Sequence, residues 1–163
     1  MTRIGLLSDT HAFIHPKIFE FFKDCQQIWH AGDIGSFEVA DQLKAFKPLI
    51  AVFGNIDDYS MRLSYPEIQL FNCEKVKVLI THIGGYPGKY SLTVKDIIKL
   101  EKPQLFISGH SHILKVIYDQ KNELLHINPG AAGKSGFHHV ITLIRFQIIE
   151  NNIQDLEILE LEK

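Results

Sequence analysis

Two observations predict an α/β fold of two packed, mixed β-sheets flanked by helices. The first third of the chain alternates short apolar runs with helical patterns in the order β-α-β-α-β, which implies parallel strands joined by right-handed crossovers. The rest is rich in short strands and hairpins, so the whole chain reads as about ten strands and three helices. That is too much strand for one doubly wound sheet. No repeat, low-complexity tract or polar linker divides the 163 residues, so a single domain over 1–163 is expected.

Taken in order, Arg3-Ile4-Gly5-Leu6-Leu7 is a buried strand that halts at the polar cluster Ser8-Asp9-Thr10-His11. Pro16 suits the first turn of a helix, and Ile18, Phe19, Phe21 and Phe22 give that helix an apolar side as far as Lys23. Gln27 to His30 forms a second strand, broken by Ala31-Gly32-Asp33. Ser36 reads as an N-cap with Val39, Ala40, Leu43 and Phe46 at helical spacing behind it, and Pro48 ends that helix. Leu49 to Phe53 is the third strand and stops at Gly54-Asn55. A hairpin over 67–72 and 75–81 is expected to turn at Asn72-Cys73-Glu74 and to end at Thr81-His82. Val94, Ile97, Ile98 and Leu100 mark the third helix. Leu105-Phe106-Ile107 is a short strand ending at Gly109-His110-Ser111-His112. A hairpin over 113–119 and 123–127, the turn Asn128-Pro129-Gly130, and two closing strands over 138–147 and 152–159 complete the chain.

Composition narrows the function. A net charge of −2 gives no basic face for a nucleic-acid duplex, and the acidic residues Glu157, Glu160 and Glu162 read as a solvated edge. The N-terminal residues have no signal-peptide pattern, and no apolar run approaches the ~20 residues of a membrane span. Cys25 and Cys73, far apart and outside any CxxC, read as free thiols in a reducing cytoplasm. Histidine, at nine residues, is the unusual count.

The chemistry-bearing residues follow a rule. Five expected strands end in ligand-type residues beside a glycine or a tight turn: Asp9 and His11, Asp33, Asn55, His82, and His110 with His112. Carboxyl ends of strands in α/β sheets form the rim where ligands bind, so these residues can converge across a hundred positions of sequence. Asp9-x-His11 and His110-x-His112 are expected to place alternate side chains of an extended segment on one side. Oxygen and imidazole donors without cysteine suit Mn²⁺, Fe or Zn²⁺ better than Ca²⁺ or Mg²⁺. Seven ligands are too many for one ion that must also hold substrate, and they suffice for two if one carboxylate is shared. Two divalent ions, two aspartates and one hydroxide leave a local charge of roughly +1, which favours a phosphate.

Alone, each fragment has a plainer reading. Asp9-Thr10-His11 would be a capping aspartate with a surface histidine, Gly32-Asp33 and Gly54-Asn55 turn chemistry, and His82 a strand-end histidine. Their common order and placement favour metal. His30 and His126 are candidates for supporting roles, with His30 poised to orient Asp33. His15, His138 and His139 read as surface or sheet residues, and Tyr86, Pro87 and Lys89 as an ordinary surface loop in preference to a border of the substrate cleft beside His82.

In combination, LLSDTHA, AGD, GN, His82, SGHSH and INPGA resemble the calcineurin-like metallophosphoesterase superfamily, in particular its small YfcE-like phosphodiesterase branch, from residue 4 to about residue 135. The resemblance implies a four-layer αββα sandwich. It implies two divalent transition-metal ions, manganese first and otherwise Fe, Ni or Zn. Asp9, His11, Asp33 and His112 would hold one, and Asp33 would bridge to the other, held by Asn55, His82 and His110. Asp33, Asn55, His82 and His110 would carry catalysis, a shared hydroxide attacking the phosphorus in line. The implied substrate is a small phosphodiester, and the implied assembly a homodimer or homotetramer.

One position departs from much of the superfamily, where a histidine follows the asparagine and can protonate the leaving oxygen. Here Gly54-Asn55 is followed by Ile56-Asp57, which favours diesters or activated esters over phosphomonoesters. Two rival readings remain: a protein-interaction scaffold like the retromer subunit of this fold, and a phosphomonoesterase. Retention of every expected ligand argues against the first and Ile56 against the second.

Overall fold

The computed structural model describes residues 1–163. In chain order the elements are β1 (Thr2–Leu7), α1 (Lys17–Phe21), β2 (Gln27–His30), α2 (Phe37–Phe46), β3 (Leu49–Ala51), α3 (Tyr59–Ser64), β4 (Ile68–Cys73), β5 (Val76–Thr81), α4 (Leu92–Glu101), β6 (Leu105–Ile107), β7 (Leu114–Asp119), β8 (Leu124–Pro129), β9 (Val140–Ile149) and β10 (Asn152–Glu162). They form two five-stranded sheets, ordered β10-β9-β1-β2-β3 and β4-β5-β6-β8-β7. Within the first, β1, β2 and β3 are parallel, and within the second β5, β6 and β8 are. Antiparallel strands close both sheets, so each is mixed.

Alternation along the strands sorts the core into layers. Ile4 and Leu6 of β1 point between the sheets, where they join Trp29, Val78, Ile80, Ile107, Ile127 and Phe146. Trp29 centres this layer, edge-on to Phe71 at 5.2 Å and to Phe146 at 5.8 Å. Truncating so large a buried ring would cost about 3–5 kcal/mol. Leu7, Ile28 and Leu143 face the other way, against Ile18 and Phe22 near α1 and Val39, Ala40 and Leu43 of α2. On the far side of the second sheet, Leu79, Phe106 and Leu124 pack on Val94 and Ile98 of α4. The result is the helix–sheet–sheet–helix arrangement that the strand count suggests.

Three local expectations need correction. There are four helices, not three: α3 starts at Asp58, whose side chain accepts a hydrogen bond from the Met61 amide at 2.9 Å. Only Met61 of that helix is buried, so no apolar period announces it. The β4–β5 turn lies one residue later than expected, because buried Cys73 stays in the strand opposite Val76, and Glu74 takes the left-handed turn conformation. Leu100 is exposed and does not belong to the buried face of α4.

Candidate metal centre

Loops after β1, β2, β3, β5 and β6 meet at one end of the sandwich, the carboxyl end of the parallel strands. Strand alternation is not what aims their side chains. β1 stops at Leu7 and β6 at Ile107, before Asp9-x-His11 and His110-x-His112 begin. Asp9, His11, Asp33, His110 and His112 all have left-handed backbone, with φ between 45° and 70°. The expectation of extended segments is therefore overturned, and tight turns bring the pairs inward. Left-handed backbone costs a non-glycine residue roughly 1–3 kcal/mol and persists where surrounding structure enforces it. That structure is visible: Asp9, His11 and Ala12 donate their amides to the carbonyls of Gly32, Asp33 and Ile34, and the Gly109 amide donates to the His82 carbonyl.

Both aspartates are buried, and each divides its two oxygens in the same way. Asp9 Oδ2 accepts from Ser8 Oγ at 2.6 Å and from the His110 amide at 3.1 Å, leaving Oδ1 without a hydrogen bond. Asp33 Oδ1 accepts from the Ile56 amide at 3.0 Å. Its Oδ2 stands 3.3 Å from His11 Nε2 and 3.2 Å from His82 Nε2. Glycine precedes Asn55 and His110 for a steric reason: a Cβ on Gly54 would overlap Asp33 Oδ1, and one on Gly109 would overlap Ser8 Oγ. Burial works against ionisation of Asp9, yet His11, His112, His82 and Ser8 hold its carboxyl well below the usual range. Burial opposes Asp33 likewise, and His82 with the Ile56 amide outweighs it and lowers the pKa.

The imidazoles complete two groups of ligand atoms. Asp9, His11 and His112 form one, with His112 Nε2 at 3.1 Å from Asp9 Oδ1. Asp33, His82 and His110 form the other. Asn55 joins the second group through Oδ1, 3.1 Å from His110 Nδ1. All seven residues singled out from sequence thus come together. Asp33 Oδ2 lies between His11 of one group and His82 of the other, the position a shared carboxylate needs.

A cation fits this donor set. His82 directs Nδ1 at the Ala31 carbonyl, 2.7 Å away, which makes Nδ1 the donor and leaves the Nε2 lone pair facing Asp33. Asp9 Oδ1, His11 Nε2 and His82 Nε2 are buried and have no hydrogen-bond partner. Acceptor atoms converging without donors repel one another unless a positive charge sits among them. The same field acts on protons: the Asp9 carboxylate raises the pKa of His11, and Asp33 with Asp9 raises that of His82 against the effect of its burial.

Residues outside the ligand set hold the loops. His30 makes no hydrogen bond to Asp33, so orienting that carboxylate is not its role. Its Nδ1 accepts from the Gly32 amide at 3.1 Å, and Nε2 then donates to Thr10 Oγ1 at 2.9 Å, whose hydroxyl passes on to the Ile34 carbonyl. Burial lowers the His30 pKa to about 4, which keeps the ring neutral for this relay. Sequence reasoning missed Asp57, which accepts from the amides of Ile34, Gly35 and Gly54 and so clamps the second loop to the third. It also missed Asn128, whose side-chain amide donates to the Gly109 carbonyl and Ser111 Oγ, and whose oxygen accepts from the Gly130 amide. The INPGA string was its only signal. His138 is not a simple surface residue either, since it stands edge-on to His112 at 5.1 Å. Tyr86 is no ordinary loop residue: it lines a cleft that reaches His110.

Comparison with known proteins identifies the family. The calcineurin-like phosphoesterase superfamily domain matches residues 2–151. A Methanocaldococcus jannaschii protein named "Probable metallophosphoesterase" is 32% identical over 134 residues, covering 78% of this chain and 67% of the relative. Among solved structures, an archaeal phosphodiesterase superposes with a TM-score of 0.76 at 23% identity, over 96% of this chain and 99% of that one. Zinc-complexed Vps29 of Entamoeba histolytica superposes with a TM-score of 0.72 at 16% identity, over 98% of each chain. The two superpositions establish the fold, and the sequence matches go further: the chain belongs to the calcineurin-like phosphoesterase superfamily.

Proposed function

We propose that this chain is a dinuclear metal-dependent phosphodiesterase, a hydrolase of small phosphodiesters. The observation that carries the reading is the pair of ligand groups with Asp33 Oδ2 between them. In this reading Asp9, His11 and His112 would hold one ion, Asn55, His82 and His110 the other, and Asp33 would serve both. Bound divalent ions, manganese for preference, supply an acidified water and positive charge for the phosphate. The chain's own residues do the rest. Ser8 and the His110 and Ile56 amides fix the two carboxylates, so that the inward oxygens keep one orientation. Asn55 presents Oδ1 beside His110 and retains its amide hydrogens as donors to a phosphoryl oxygen.

Ile56 sets the limit on chemistry. Its backbone amide positions Asp33, while its side chain, 45% exposed at the rim, has no proton to give a departing alkoxide. Esters whose leaving groups depart unprotonated are therefore the favoured class. The test is hydrolysis of paired aryl phosphodiesters and phosphomonoesters by manganese-loaded protein, with Asn55→Ala as control. Diester preference and a large loss in the variant are expected, and equal rates for variant and parent would place the activity elsewhere. A chain that binds no transition metal would instead be read as a protein-interaction scaffold. Both cysteines are free and buried, in keeping with a cytoplasmic location, and no helix is long and apolar enough to cross a membrane.

A further inference from the structure

A cleft of about 250 Å³ opens beside His110, between the loop after β5 and the start of β7. Its walls include Ile83, Tyr86 and Ile113, which are 51%, 40% and 62% exposed. Ile83 follows His82 and Ile113 follows His112, so the apolar wall is built directly onto two ligand-bearing loops. Exposed apolar groups gathered at one rim mark a surface that something else covers. A phosphate seated at the centre would have its ester arm beside this wall.

The polar groups of the cleft say what kind of arm. Lys115 stands with Nζ 4.0 Å from the centroid of the Tyr86 ring, and no carboxylate lines the cleft. A cationic amino-alcohol arm would meet that ammonium unpaired, and a polyol would meet isoleucine. The floor carries His126, 1% exposed, stacked on Phe106 and with Nδ1 3.2 Å from the Phe106 carbonyl. Nδ1 donates there, so Nε2 is a lone-pair acceptor with no protein partner. Burial, which pushes the His126 pKa down to about 4, keeps it so at neutral pH. The volume lies below the ~300–1,000 Å³ of pockets for larger ligands, so it suits one ring system rather than a polymer.

We propose that this cleft receives the organic arm of the phosphoester and selects a single aromatic ring that carries no positive charge and bears a hydrogen-bond donor for His126. The proposal rests on the reading of the centre as a phosphoester site. It is tested by calorimetric binding of methylphosphonate, phenylphosphonate, 3-hydroxyphenylphosphonate and 2-aminoethylphosphonate to manganese-loaded protein. Phenylphosphonate should bind about tenfold tighter than methylphosphonate, as burial of part of a ring predicts. The 3-hydroxyl should tighten binding further in the parent and not in His126→Phe, whose folding is checked by its thermal transition. The aminoethyl compound should gain nothing. In Tyr86→Ala and Ile113→Ser the phenyl-to-methyl ratio should fall below about twofold. Equal binding of phenyl and methyl compounds, or tightest binding of the amine, would overturn the arm assignment alone. Failure of methylphosphonate itself to bind would overturn the phosphoester reading beneath it.

Discussion

The two sheets contribute unlike halves to one centre. Loops of the first sheet supply every oxygen ligand, Asp9, Asp33 and Asn55, with one imidazole, His11. Loops of the second supply only imidazoles, His82, His110 and His112. The aspartates are buried and tethered through one oxygen each; of the imidazoles His82 is also buried, whereas His112 is half-buried and His110 is exposed at the open cleft. A buried carboxylate needs donors on the oxygen it does not offer to a metal, while a neutral imidazole tolerates water. Charge is therefore installed where the backbone clamps are dense, while the exposed members, Asn55 and His110, come one from each sheet. Each group of ligands draws on both sheets, so neither sheet alone makes a metal site.

The largest test of this division is Asp33→Asn, which removes the charge facing both His11 and His82. Metal affinity by calorimetry should fall by more than the ~100-fold that loss of an outer partner costs. An unchanged affinity would mean that the oxygen-bearing rim is not where charge matters. Next comes the clamp on each rim. Asp57→Ala strands three amide donors and should cost about 3 kcal/mol or more in urea unfolding, against roughly 1–3 kcal/mol for Asn128→Ala on the other rim. Equal losses would erase the contrast in tethering. Ser8→Ala, which frees only Asp9 Oδ2, should weaken metal binding about tenfold with little change in stability.

The smallest difference between the rims is expected in acid. Each sheet buries one neutral histidine, His30 in β2 and His126 in β8, with pKa lowered by burial from 6.5 to about 4. As pH falls below 6.5 the unfolded chain takes up these protons first. The stabilisation is therefore complete above pH 6.5 and is lost progressively towards pH 4. Urea midpoints measured across that interval should decline in the parent, and His30→Gln and His126→Gln should each flatten the decline. A flat parent profile would show that neither ring is held neutral.

Much of this was legible in the chain itself, because each ligand sits in a local pattern: an apolar strand, then a ligand beside glycine. The order of Asp9, His11, Asp33, Asn55, His82, His110 and His112 was enough to single out residues that the fold brings together. Helix α3 escaped notice because it buries a single residue, and the roles of Asp57 and Asn128 did because their partners lie in other loops. Periodicity reports only contacts between a residue and its own element's face.

What the sequence by itself determined is the inventory: the seven candidate ligands, Ile56 at the asparagine loop, and enough alternating strand for two sheets. Only the tertiary structure decided how those ligands converge, by left-handed turns where alternation along extended segments was expected. It alone decided which carboxylate oxygen faces inward, and it joined Tyr86, Ile113, Lys115 and His126 into one cleft. The physical reason is that these properties depend on donors and walls supplied from distant segments. The Ile56 amide reaches Asp33 from the loop after β3, and the His110 amide reaches Asp9 from the other sheet, so the two meet their carboxylates only in the folded chain.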